Sequence, residues 1–200
     1  MDEVDSASRP GSGSRALGPA VLLAASERLC DSLHRCEDPQ AALDQVEAAR
    51  FALLGRGLLT VNLDATTPRD PPGEIHLMRG WSSNAQAYPV GGRKRKLRTP
   101  WTEQLLVRGE VFIGEGQASL GAVFDDVALI TSLGLRSVIN VPLLTGGRTR
   151  ATFNVLGTRT HWHVQEIAAV RLLALVARPF VFRLASALQA DAATGTARPD

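Results

Sequence analysis

The chain of 200 residues is poor in cysteine, poorer still in tyrosine, and has almost no lysine. Its two cysteines, Cys30 and Cys36, cannot frame a disulfide-rich secreted scaffold. They are also too few for a zinc site built from four sulfurs. They stand six positions apart on a predicted helix, well off a common face, so they cannot pair without unfolding it. No uninterrupted apolar run of about 18 residues occurs, which argues against a transmembrane helix. The N-terminus, MDEVD, is acidic and lacks an apolar segment, so it is not a secretory signal. These absences together predict a reduced, cytoplasmic protein. A formal net charge of +2 is close to neutral and gives no reason to expect bulk binding to nucleic acid or a membrane. Lysine occurs only at Lys94 and Lys96, a skew that reads as genome composition rather than chemistry.

What is present suffices for one sizeable domain. Hydrophobic residues make up 44% and charged residues 21% of the chain, enough to bury a core. Residues 1–15 (MDEVDSASRPGSGSR) and 191–200 (DAATGTARPD) read as flexible tails, leaving 16–190 as the folded part. Leu17 to Arg35 has apolar residues at helical spacing. Asp38-Pro39 is an N-cap followed by proline at the first helical position, opening a second helix that stops at Gly55. Leu58 to Leu63 and Glu74 to Trp81 read as two strands around the turn TTPRDPPG. Residues 82–100 read as an irregular connection and Thr102 to Val107 as a short helix. Glu110 to Ile113 follows as a strand and Leu120 to Leu133 as one helix ending at Gly134.

Arg136 to Leu144 and Arg150 to Gly157 form a hairpin around Gly146-Gly147, since adjacent glycines tolerate the positive φ of tight turns. It is apolar on both faces, so it belongs mid-sheet, covered from both sides. A two-residue turn with regular pairing would set Val138 beside Phe153 and Val155, and Ile139 and Val141 beside Leu156. It would also put Ser137 and Asn154 on one face and Asn140 on the other. Val164 to Ala190 is one long helical pattern, with a kink or break expected at Pro179. Hairpins rather than crossovers at both ends of the sheet predict an α+β fold with an antiparallel sheet. No glycine fingerprint joins a strand to a helix, which excludes a Rossmann-type reading.

The stretch Ser137-Val138-Ile139-Asn140-Val141-Pro142-Leu143, the turn Gly146-Gly147-Arg148 and the strand Thr152-Phe153-Asn154-Val155-Leu156 resemble the central hairpin of a GAF domain. Strands of the type S-V-x-x-V-P-L and G-x-L-N-L flank a glycine-containing turn there. Trp162 to Ile167 and Leu172 to Ala174 resemble that family's next turn and C-terminal helix. Ala151 stands where the family often has glycine. The likeness spans roughly residues 20–190, its specific part only about 25 of them. It implies a five- or six-stranded antiparallel sheet with the N- and C-terminal helices on one face. On the other face it implies a ligand pocket roofed by residues 82–134. It further implies a sensor or dimerisation module and no covalent change to the ligand, and the surplus of apolar positions on the helices at 17–35 and 164–190 predicts a homodimer through them.

The family's enzymatic exception, the free methionine-sulfoxide reductase, works through pocket cysteines, and this chain has none beyond residue 36. Bilin attachment would need a pocket cysteine too, and haem a pocket histidine, for which only His76 stands on a predicted strand. Phe124-Asp125-Asp126 echoes a cyclic-nucleotide signature at different spacing and without its Asn-Lys partner. His161-Trp162-His163 with Glu166 looks like metal ligands, but lies at a turn entering a helix and reads as a solvated helix N-terminus. No metal site or catalytic constellation is expected, and the sequence does not identify a cofactor.

Tyr88, Trp101, Phe112 and Phe124 are the large residues in or beside the roof, and either line the pocket or plug it. Ser137, Ile139 and Asn154 on the hairpin complete the candidate ligand contacts. The polar ones among them bond either to the protein or to a ligand. Arg93-Lys94-Arg95-Lys96 with Arg98 reads either as a solvated loop or as a lid over an anion, with Arg93 and Arg95 as candidate anion contacts. The expectation is a stand-alone small-molecule sensor acting through another chain, not an enzyme, with no nucleic-acid or membrane partner. The alternatives are a ligand-free dimerisation or interaction module and, behind it, an enzyme on a GAF scaffold.

Overall fold

Asp38 opens the best-capped helix of the chain: its carboxylate accepts hydrogen bonds from Gln40 N and Ala41 N at 3.2 and 3.0 Å. Those are donors that a helix start otherwise leaves unpaired. The computed structural model describes residues 17–194, with side chains to residue 190. The expected tail at 1–15 lies outside the described residues. So does the C-terminal tail beyond residue 194; up to that point the chain is still helical.

Helices α1 (Pro19–His34) and α2 (Pro39–Leu54) precede strands β1 (Gly57–Asp64), β2 (Ile75–Ser82) and β3 (Gly91–Lys96). A short helix α3 (Pro100–Thr102) runs on into a π-helical turn (Glu103–Val107), followed by β4 (Phe112–Glu115). Helices α4 (Gly116–Gly121) and α5 (Val127–Ser132) lead to β5 (Ser137–Thr145), β6 (Arg148–Gly157) and the long α6 (Val164–Thr194). The strands form one antiparallel six-stranded sheet in the order β3-β2-β1-β6-β5-β4. The fold is α+β, and the hairpin-built sheet read from the sequence is present.

Strand alternation divides the core into two layers. Leu59, Val61 and Leu63 of β1, with Ile139, Val141, Phe153 and Val155 of the central hairpin, pack under α1, α2 and α6. Leu58, Val138 and Leu156 face the opposite side, where Tyr88, Leu120, Ile130 and Leu135 cover them.

Four local expectations are corrected. The irregular connection contains an edge strand, β3, paired with β2. Gly91 and Gly92, at φ +88° and +68°, carry the chain into it beside a bulge at Met78/Arg79. The single helix over 120–133 is two short helices parted by residues 122–126, consistent with the weak helix propensity of Gly121. Pro179 does not break α6, whose Ala174, Ala177, Val181 and Leu184 are held in the core on both sides of it.

The fourth correction concerns register. The turn has two residues, Gly146 and Gly147, both at positive φ as a type I′ turn requires. A bulge then shifts the pairing, because Leu144 opposes Thr149 while Leu143 opposes Ala151. One inserted residue moves every later partner to the other face. Val138 therefore opposes Leu156, Ile139 opposes Val155 and Asn140 opposes Asn154.

Candidate functional site

Away from the three long helices, the sheet carries a row of polar residues. Thr60 on β1 opposes Asn154 on β6, which opposes Asn140 on β5. Trp101 lies over this row, positioned by the turn that starts its short helix. Thr99 Oγ1 accepts from Thr102 N at 3.2 Å while Thr102 Oγ1 accepts from Thr99 N at 2.7 Å, a reciprocal capping box with Pro100 at the first helical position. Trp101 Nε1 donates to Asn140 Oδ1 at 3.0 Å, and Asn140 Nδ2 donates to Asn154 Oδ1 at 2.8 Å. Asn154 Nδ2 then donates to Thr60 O at 3.3 Å. An indole is a donor only, so it dictates the orientation of both amides in turn.

Between this floor and the segments above lies a cavity of about 180 Å³. Trp101 and Phe124 meet edge to face at 5.9 Å on one side, and Tyr88 with Arg79 bounds another. The Arg79 guanidinium lies 4.8 Å from the Tyr88 ring centroid and donates through Nη1 to Pro89 O at 3.1 Å. Arg79 Nε is buried with no hydrogen-bond partner, and Tyr88 Oη is buried beside the Asp126 carboxylate. Burial first, and then the neighbouring Asp126 carboxylate, pushes the Tyr88 phenol well above its ordinary pKa.

Charges ring the mouth. Lys94 and Lys96 stand on the cavity face of β3, and Asp125 and Asp126 on the turn between α4 and α5. The Lys96 ammonium is 5.7 Å from the Trp101 ring centroid. Burial, followed by repulsion from Lys94, lowers its pKa, and attraction from Asp125 and Asp126 opposes both. The basic run is thus split by strand alternation. Lys94 lies opposite Leu77, whereas Arg93 lies opposite Met78 and Arg95 opposite His76. Arg93 pairs with Asp70 and donates through Nε to Ala65 O at 3.0 Å, and Arg95 pairs with Glu74 at 2.8 Å.

Of the residues singled out in the sequence, Tyr88, Trp101, Phe124 and Asn154 line the cavity. Phe112 does not; on β4 it packs between the Val138 and Trp101 clusters. Ser137 and Ile139 are corrected to the opposite face: Ile139 is core beneath the helices, and buried Ser137 lies beside Gly157 and Trp162. The bulge accounts for both, and for Asn140 joining Asn154 rather than opposing it. Arg93 and Arg95 are corrected too, since the carboxylates beneath them take their charge outside the cavity. Lys94, Lys96, Arg79, Asp125, Asp126, Thr60, Asn62 and Asn140 line the cavity and were not among the candidates. The signal for the lysines was period-two alternation after a Gly-Gly pair.

The histidine-rich turn is the expected helix N-terminus, with His161 and His163 exposed to solvent and only Trp162 and Glu166 buried. Glu166 is buried, accepts from His163 N at 2.9 Å and pairs with Arg159, while His161 Nδ1 lies 3.1 Å from Glu115. His76 sits against Glu74 and Asp70 rather than in the cavity. Among the described residues no cluster of three or more His, Cys, Asp or Glu side chains suits a metal ion. Among them, too, no helix is long and apolar enough to cross a membrane. Cys30 and Cys36 are free thiols.

No family model and no curated protein matches the sequence. Solved structures do match. The GAF domain of an Acinetobacter phosphoenolpyruvate-protein phosphotransferase aligns with a TM-score of 0.58 at 12% identity, covering 88% of this chain and 98% of that one. The GAF domain of a Coxiella burnetii phosphoenolpyruvate-protein phosphotransferase aligns at 0.55 and 16% identity, covering 89% and 98%. Residues 122 to 287 of a methyl-accepting chemotaxis protein align at 0.56 and 17% identity, covering 80% and 98%.

Proposed function

The chain has the GAF fold, and from that premise we propose that it is a cytoplasmic sensory or regulatory protein that binds a small molecule without changing it covalently. The ligand enters the cavity between the polar row and the 82–134 roof. The observation that carries this reading is the cavity itself: about 180 Å³, with the buried Arg79 Nε lacking a partner. Buried polar atoms left unpaired cost stability, and a ligand that pairs them recovers it. The volume exceeds the about 150 Å³ of a cavity known to hold a benzene ring. Similar folds occur in a methyl-accepting chemotaxis protein and in a two-component sensor histidine kinase.

The output we propose is a population shift in a homodimer. Ligand orders the roof and changes how the terminal helices present themselves. Leu172 and Leu175 on α6, 61% and 62% exposed, and Leu23 on α1, 62% exposed, supply apolar surface for a second copy. The rival reading is a ligand-free interaction module, favoured by the self-satisfied floor and by a volume below the about 300–1,000 Å³ of typical ligand pockets. Native mass spectrometry of the freshly purified protein separates them. A dimer carrying a discrete extra mass supports the sensor, a bare dimer shifts the weight to the interaction module, and a bare monomer overturns the dimer.

A further inference from the structure

The charges at the mouth define the ligand more closely than the cavity does. Arg93, Arg95 and Arg98 each pair with a carboxylate: Asp70, Glu74 and Glu103. Lys94 and Lys96, interleaved with them on the cavity face, form no ion pair among the described residues, nor do Asp125 and Asp126. Two ammonium groups therefore face the cavity and repel each other, while Asp125 and Asp126 stand near them, Asp126 being drawn also to Arg79, the third cation of the lining. Lys96 feels both carboxylates through space without touching either. An anion alone would relieve the lysines and be repelled by the aspartates; a cation alone would meet the reverse. A ligand bearing both charges, spaced to reach each pair, relieves both.

Resting on the binding reading above, we propose that the cavity takes a small zwitterion of the free α-amino-acid class. Its carboxylate lies between Lys94 and Lys96, and its ammonium group at Asp125 and Asp126. Its side chain enters the space bounded by Trp101 and Phe124, and its polar atoms come within reach of Tyr88 Oη. The volume fits the size, since about 180 Å³ admits a molecule of amino-acid dimensions.

The test is ligand-observed NMR and calorimetry on the full chain. The probes are the twenty common L-amino acids, their N-acetyl forms (anion only), their C-terminal amides (cation only), and phenol as an uncharged ring. At least one free amino acid is expected to bind, at least about tenfold tighter than its acetylated and amidated forms, the loss that goes with one charge-assisted hydrogen bond. Asp126→Asn abolishes the preference over the N-acetyl form, and the double variant Lys94→Gln/Lys96→Gln abolishes the preference over the amide. Both exchanges lie at the mouth and remove charge while keeping the side chains polar, and an unchanged thermal melt shows that the fold is intact. Equal binding of the N-acetyl form overturns the zwitterion in favour of a plain anion site. Phenol binding with no amino acid bound overturns the zwitterion and leaves the pocket reading standing. Binding of no probe at all overturns both.

Discussion

The indole of Trp101 reaches across 39 positions of sequence to donate a 3.0 Å hydrogen bond to Asn140 in the middle of the sheet. That bond ties the roof to the floor and starts the donor-to-acceptor chain that runs through Asn154 to Thr60. Two amides are thereby buried at little cost, because each carbonyl and each amine toward the chain has a partner.

Trp101→Phe removes the first donor and leaves Asn140 Oδ1 facing a hydrocarbon ring. We expect a loss of about 1–3 kcal/mol from the unpaired acceptor alone. Urea denaturation checks it. An unchanged midpoint would mean that water replaces the indole and that the roof is not held by this bond.

Gly157 closes the central hairpin beneath Trp162. A Cβ built there would stand 2.7 Å from Trp162 Cη2, closer than any carbon pair tolerates without movement. Gly157→Ala should destabilise the chain by about 1–3 kcal/mol through overpacking. A shift in the near-ultraviolet circular dichroism of the tryptophans should accompany the lower melting temperature.

Glu115 links β4 to the turn before α6. It accepts from Trp162 N at 2.8 Å and lies 3.1 Å from His161 Nδ1. The Trp162 amide first, and His161 second, hold its carboxyl below the ordinary value of 4.5. A depressed folded pKa contributes stability that is complete above the unfolded value and is lost as pH falls through the folded one. The melting temperature of the native chain should therefore exceed that of Glu115→Gln at neutral pH, and the gap should shrink below about pH 4. A constant gap across the titration would show that the carboxylate's charge plays no part.

Leu172 lies on the exposed side of α6, so introducing a charge there costs the isolated subunit little. Leu172→Asp should convert the proposed dimer to monomer in sedimentation at tens of micromolar, with the melting temperature otherwise near that of the native subunit. Persistence of a dimer would move the interface off this helix.

Much of the architecture was legible because its signals are local. Asp38-Pro39 marks a helix start, Gly146-Gly147 marks a two-residue turn, and two-sided apolar strands mark the centre of a sheet. The site was legible only in part. Tyr88, Trp101, Phe124 and Asn154 were recognised as large or polar residues in the right segments. Ser137 and Ile139 were misplaced by a single bulge at Leu143/Leu144, which no residue type in that stretch announces. Lys94 and Lys96 were hidden inside a run of like charges. Only pairing with β2 sorts that run into arginines that meet Asp70 and Glu74 and lysines that face the cavity.

Local signals suffice for the α+β class, the helix starts and the central hairpin with its turn, since caps, glycine conformations and hydrophobic periods act over a few residues. Tertiary structure alone decided which face each hairpin residue takes, that residues 91–96 become an edge strand, and that two lysines and two aspartates ring one cavity. Those outcomes depend on register and on contacts between segments far apart in the chain. A shift of one residue reverses every side chain beyond it, and no local pattern carries that information.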